Sequence, residues 1–134
     1  MDKIKFVDAN IFLELMLDDD KAEECENFFK KIKNKEIEAV TSDFILYTCI
    51  VKIEQKLKSV SKIEQFLFYI NQMNLHIIRP LLGDMINSLK ISEKYKLDFD
   101  DSFIISLMIN NNIKELVSFD KHFDKVNLIR REVP

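Results

Sequence analysis

The stretch LDFDDSFIISLMINNNIKELVSFDKHFD, residues 97–124, decides how the rest of the chain is read. Asp100 and Asp101 open a helix, and behind them Phe103, Ile104, Ile105, Leu107, Met108 and Ile109 leave little polar surface. A helix that is apolar nearly all round lies inside a core rather than on it. Asn110, Asn111 and Asn112 then supply turn chemistry. Glu115 to Val117 is a brief strand, and Ser118-Phe119-Asp120 ends it on a second carboxylate. Two acidic positions beside apolar elements suit a hard-metal site, and they suit helix capping equally well.

Working outward from that stretch, Ile4 to Val7 predicts a short central strand ending at Asp8. Ala9 to Leu17 has helical spacing of Ile11, Phe12, Leu15 and Met16, and an amphipathic helix to about Asn34 follows the Asp18-Asp19-Asp20 turn. Glu38 to Thr41 predicts a second strand, Asp43 to about Leu57 and Ser59 to Ile70 two helices, and Leu75 to Ile78 a third strand. Leu81 to Tyr95 is helical, and Asn127 to Arg131 is a last strand. Short strands alternating with single or paired helices predict an α/β fold with a mainly parallel sheet. Right-handed crossovers then place helices on both faces, a three-layer α/β/α sandwich.

At 134 residues the chain is expected to be one domain, and 47% hydrophobic residues are enough for a core of its own. A net charge of −3 argues against nucleic-acid binding through a global positive field. Cys25 and Cys49 have no metal-like spacing and read as buried, reduced thiols, which fits a cytoplasmic setting. Met1-Asp2-Lys3 runs straight into Ile4, Phe6 and Val7, so no signal peptide is expected. No apolar run approaches the roughly 20 residues of a membrane span. One glycine in the whole chain excludes a Gly-rich phosphate loop.

Each carboxylate has an ordinary explanation. Asp8 is placed to cap the helix that starts at Ala9, Asp98 with Asp101 resembles a capping pair, and Asp120 is placed to cap Lys121-His122-Phe123. Capping alone does not explain why Asp8 and Asp120 share a strand-end position, the place where open parallel sheets bind ligands. Nor does it explain Asp101, which Ile104, Ile105 and Met108 follow at helical spacing, so that it leans toward the core edge. A carboxylate there is costly unless it is paired or metal-bound. If the first and fourth strands are neighbours, all three acids face one crevice.

FVDANIFLEL at the start, LDFDDSFIISL in the last third and VSFDKHFDKV after it resemble the PIN domain, as found in the VapC-type toxins of prokaryotic toxin–antitoxin pairs and related nucleases. The blocks span essentially the whole chain in the right order. The resemblance implies a five-stranded parallel sheet between helices and a metal-dependent ribonuclease site of clustered acids. Asp8 matches the first-strand Asp, Asp101 the Asp that opens the buried helix, and Asp120 the Asp after the fourth strand. Ser118 matches a small hydroxyl residue two positions earlier, and Asn10 falls where members carry a small polar residue. The family's Glu in the helix after strand two is replaced by Thr48, or by Tyr47 in a looser alignment; Asp43 and Glu54 are the nearest acids but do not fit the spacing, and Asp100 is a candidate to supply the charge, though it points about a hundred degrees away from Asp101 on its helix.

The resemblance implies a Mg²⁺- or Mn²⁺-dependent endoribonuclease, in which Asp8 and Asp101 are expected to ligate the ion, Asp120 to bind it directly or through water, and Ser118 to orient that water or a phosphate oxygen. Lys30, Lys31, Lys33 and Lys35, and Lys52, Lys56, Lys58 and Lys62, are candidate RNA phosphate contacts. His122 and His76 read as surface or packed residues rather than ligands. The phenylalanines read mostly as core by periodicity, with Phe12 and Phe66 as candidates instead for an apolar groove or a homodimer face. An antitoxin partner and homodimerisation are implied by the resemblance. The alternative is a PIN-like domain that lost catalysis with its fourth acid and binds RNA or protein. A haloacid-dehalogenase phosphatase fits less well, because it needs an Asp where Asn10 stands, and a response-regulator receiver lacks its acidic pair.

Overall fold

Runs of three to five residues form five parallel strands: β1 (Ile4–Val7), β2 (Glu38–Ser42), β3 (Leu75–Ile78), β4 (Glu115–Val117) and β5 (Arg130–Glu132). The computed structural model describes residues 4–134; Met1, Asp2 and Lys3, where the reading of the amino terminus begins, lie outside them. The strand order is β3-β2-β1-β4-β5, with Phe6 opposite both Val40 and Leu116. β1 is therefore central, and it neighbours β4 as the shared crevice requires. Strand order reverses between these two, the switch point at which such sheets leave a crevice beyond the strand ends.

The helices are α1 (Ala9–Met16), α2 (Ala22–Lys33), α3 (Asp43–Leu57), α4 (Val60–Gln72), α5 (Leu82–Tyr95) and α6 (Phe99–Asn110). Two crossovers run one way from β1 and the next runs back past it. Right-handed connections therefore put α1 to α4 on one face and α5 with α6 on the other. The first layer closes over an aromatic cluster, with Phe12 stacked on Phe29 at 5.1 Å and edge-on to Phe66 at 6.1 Å. Both Phe12 and Phe66 are fully buried, so neither lines a groove or a dimer face; their periodicity belonged to the core.

On the other face α6 buries every residue from Ser102 to Met108. Its two buried hydroxyls are satisfied, Ser102 donating to the Asp98 carbonyl at 2.8 Å and Ser106 to the Asp84 carbonyl at 3.0 Å. α5 is different. Leu82, Met85, Ile86 and Leu89 stay exposed on it, and Ser88 alone is buried. β5 begins three residues later than predicted, because residues 127–129 are held in a turn by the Ile129 N–H to Val126 carbonyl bond at 3.4 Å. Cys25 and Cys49 are free and buried. Among the described residues no helix is long and apolar enough to cross a membrane.

Candidate metal centre at the β1–β4 switch point

Asp8 follows β1 directly and its backbone N–H continues the ladder to the Val117 carbonyl at 3.0 Å, so the carboxylate is set at the end of the central pair. One carboxylate oxygen caps α1 through the Ala9 N–H at 2.7 Å. The other accepts the Ser118 hydroxyl proton at 2.7 Å and lies 3.5 Å from the Asn10 amide. The Ser118 oxygen in turn accepts from the Asp120 N–H at 3.0 Å and the Asn10 Nδ2 at 3.2 Å, and the Asn10 carbonyl accepts from the Phe119 N–H at 3.3 Å. Ser118 is 0% exposed and its one proton and both lone pairs are committed. Its hydroxyl ties Asp8, Asn10 and the Asp120 backbone together.

Asp101 enters from the first turn of α6 and Asp120 from the amino-terminal cap of the 3₁₀ turn Lys121–Lys125. Burial raises the Asp8 pKa, Asp120's charge adds to that rise, and the Ser118 and Ala9 donors oppose it. Burial also pushes Asp101 up to about 6, with the charges of Asp120 and Asp8 next in importance. Each of these two carboxylates thus feels Asp120, and Asp101 feels Asp8 as well. Three acids from three separate parts of the chain share one repulsive field, the arrangement a divalent cation relieves.

Several expectations change. Asp98 starts α6 but makes no side-chain capping bond, so the capping pair with Asp101 does not form. Thr48 donates its hydroxyl to the Phe44 carbonyl of its own helix at 3.0 Å, ordinary back-bonding within a helix. Asp100 is exposed on the outer side of α6. His122, expected to be a bystander, brings its Nδ1 to 3.0 Å from an Asp120 oxygen and 4.0 Å from an Asp101 oxygen. One ligand atom from each of Asp101, Asp120 and His122 lies within 4.8 Å of the others, and Asp8 stands outside that tight group. His76 is distant from all of this, 3.9 Å from Glu38 at the start of β2.

The lysines of α2 are misplaced for an RNA at this crevice. Lys30, Lys31 and Lys33 end α2, Lys35 lies in the turn after it, and the chain then enters β2 at Glu38, opposite Ile4 at the start of β1. They belong to the sheet edge opposite Asp8, separated from it by the length of β1, roughly 13 Å at 3.3 Å per residue. Lysine count in a sequence does not reveal which end of a sheet a helix terminus occupies. Cations nearer the acids are Lys52, whose charge acts on Cys49 beside Asp8, and Arg131, whose charge is felt with that of Asp120. Arg131 donates to the Ser118 carbonyl at 3.0 Å and grips Asp124 with two bonds of 2.7 and 3.1 Å.

The donor set fits a hard or borderline divalent ion: carboxylate oxygens, with one imidazole nitrogen, on elements held by caps and backbone bonds. No curated protein sequence matches the chain. Among solved structures it resembles the sarcin–ricin-loop-cleaving toxin VapC20 of Mycobacterium tuberculosis at 12% identity and a TM-score of 0.79, covering 97% of this chain and 99% of that one. It resembles VapBC2 of Rickettsia felis bound to promoter DNA (18%, TM-score 0.72, 97% and 98% covered) and DNA-bound VapBC of Salmonella typhimurium (18%, 0.70, 99% and 98%). At such identities the likeness is one of fold. The model of the PIN domain family matches residues 5–128. This chain belongs to the PIN domain family.

Proposed function

We propose that the chain is a cytoplasmic, divalent-metal-dependent endoribonuclease of the toxin type, with Asp8, Asp101 and Asp120 holding the ion. The observation that carries this reading is the meeting of the three acids at the β1–β4 switch point, where burial first and the charges of Asp120 and Asp8 second raise Asp101 to about 6. Nothing in the helix-capping explanation requires that coupling. RNA as substrate class and an antitoxin-type protein partner are carried over from the solved relatives.

A divalent cation bound by these carboxylates supplies Lewis acidity toward a phosphodiester, and either Mg²⁺ or Mn²⁺ has that capacity. The chain's own contribution is placement. Ser118 and Asn10 tie the carboxyl end of β4 to the start of α1, so Asp8 and Asp120 keep a fixed separation. Asp8 is nearly excluded from water, which strengthens every charge interaction beside it. Above about pH 6 Asp101 carries its charge and is ready to ligate; below that it holds a proton on its carboxyl and ligation weakens. Pairing with a second copy is assigned to the bare apolar stripe of α5, Leu82, Met85, Ile86 and Leu89.

The test is cleavage of a mixed RNA pool by the purified chain with Mn²⁺, with Mg²⁺ and with EDTA, beside Asp8→Asn and Asp101→Asn. Metal-dependent cleavage lost in both variants supports the assignment. Cleavage by Asp8→Asn at the wild-type rate, or none by the wild type in either metal, overturns it in favour of a binding module that lost its α3 acid at Thr48.

A further inference from the structure

The PIN family's usual acid in the helix after strand two has no counterpart here, since Thr48 spends its hydroxyl on Phe44. The crevice nevertheless presents a further donor. Resting on the metal-dependent reading above, we propose that His122 Nδ1 is a ligand of the same ion, making a mixed oxygen–nitrogen site that favours first-row transition ions over Mg²⁺.

Three observations carry this. First, the distances fit: two cis ligands about 2.1 Å from one ion stand about 3.0 Å apart, and trans ligands about 4.2 Å. His122 Nδ1 lies 3.0 Å from Asp120 Oδ1 and 4.0 Å from Asp101 Oδ2. Second, the histidine is held rather than loosely tethered. Its backbone N–H donates to Asp120 Oδ1 at 2.9 Å, the next residue, Phe123, is 1% exposed, and the far side of the turn is fixed by Asp124 on Arg131. With backbone anchored on both sides, little more than the side-chain torsions remain to be set on binding. Third, the imidazole is 73% exposed while its Nδ1 faces the acids, so an ion can enter past it without the core opening.

The donor chemistry sets the selectivity. Mg²⁺ prefers oxygen and retains its waters, whereas transition ions accept imidazole with rising affinity from Mn²⁺ onward. A carboxylate in α3 would have added charge without discriminating between them; a nitrogen discriminates. His122 thus restores a fourth ligand and changes which ion is held.

The experiment uses the full chain with Mn²⁺ and Mg²⁺ as probes. Pulsed electron paramagnetic resonance of the Mn²⁺-loaded protein is expected to show ¹⁴N coupling from a directly bound imidazole, absent in His122→Ala. Calorimetric titration is expected to show Mn²⁺ affinity falling about tenfold or more in that variant, with Mg²⁺ affinity changed less than twofold. Because the side chain is exposed, the variant folds, which an unchanged melting curve in EDTA verifies. Mn²⁺ bound by the wild type without nitrogen coupling, or an unchanged Mn²⁺-to-Mg²⁺ affinity ratio, overturns the role of His122 and leaves the carboxylate site standing. If the wild type binds neither ion, the metal reading and this inference both fail.

Discussion

Replacing Asp101 with Asn is expected to make the metal-free protein more stable while abolishing its metal binding. Folding moves the Asp101 pKa from an ordinary value near 3.8 to about 6, by burial first and the charges of Asp120 and Asp8 second. Because the folded chain holds this proton more tightly than the unfolded one, stability falls as pH rises from about 4 to about 6. Above that the full penalty is present. A shift of about two units corresponds to about 3 kcal/mol at 1.36 kcal/mol per unit. The side chain is 21% exposed and water screens part of the repulsion, so about 1–2 kcal/mol is the reasonable expectation. For a chain of 134 residues that is a rise in Tm of roughly 3–8 °C at pH 7. The rise should vanish below about pH 4, where the wild-type carboxyl is protonated in both states. Differential scanning calorimetry in EDTA at pH 3.5, 5 and 7 reads this directly. Added Mn²⁺ should reverse the order: at a hundred times its Kd an ion stabilises the wild type by about 2.7 kcal/mol, and the variant gains little. A variant that is equally or less stable than wild type at pH 7 in EDTA refutes the shared repulsive field, and with it the basis for the site.

Three further outcomes follow from the same coordinates. Ser118→Ala removes the hydroxyl donor from a buried carboxylate and leaves the Asp120 N–H and the Asn10 amide without that acceptor; a loss of about 1–3 kcal/mol in urea unfolding is expected, and Ser118→Thr, if its methyl fits, should recover part of it. Lys58 and Lys96 end α3 and α5 at φ 48° and 56°, the left-handed conformation that costs a side-chain-bearing residue; Lys96→Gly should stabilise by about 0.5–1 kcal/mol by the same assay, with no effect on metal affinity. Ile86→Glu puts a charge in the middle of the exposed α5 stripe; sedimentation should show the wild type as a dimer and the variant as a monomer with unchanged melting of the fold, and a wild type that is monomeric at high concentration removes α5 from consideration.

Much of the fold was legible because it rests on local chemistry. The buried helix α6 announces itself by apolar residues on nearly every side, and the strands by short runs stopped at Asp8, Ser42 and Pro80. The convergence of Asp8, Asp101 and Asp120 was legible too, since strand-end carboxylates share one edge whenever β1 and β4 pair. What escaped depends on side-chain direction and on which faces meet. The apolar spacing of α5 matches that of a buried helix, yet Leu82, Met85, Ile86 and Leu89 stay outside, while Ser88 is buried and Ile91 and Tyr95 are half-buried against the core. Phe12 and Phe66 are core, as their periodicity indicates, and the groove or dimer-face alternative for them does not hold. His122 was missed because a histidine two residues after a capping Asp reads as surface. The overlooked signal was the cap itself: Asp120 binding the His122 N–H pulls that residue's side chain toward the carboxylate.

Capping and the clustering of acids, posed as rivals by the sequence, are parts of one arrangement. Asp8 spends one oxygen on the Ala9 N–H, and Asp120 accepts from the His122 N–H. Each such cap contributes about 1 kcal/mol, comparable with the combined burial and charge penalty expected for Asp101. Local backbone bonds can therefore hold like charges together that would otherwise separate, and the chain folds with the cluster formed before any ion arrives. A site assembled this way needs little reorganisation to bind, which is why its residual strain should appear as pH-dependent stability of the metal-free protein. Had the caps been absent, the same three acids would have to be gathered by the ion itself, and Asp101→Asn would leave the metal-free fold unchanged.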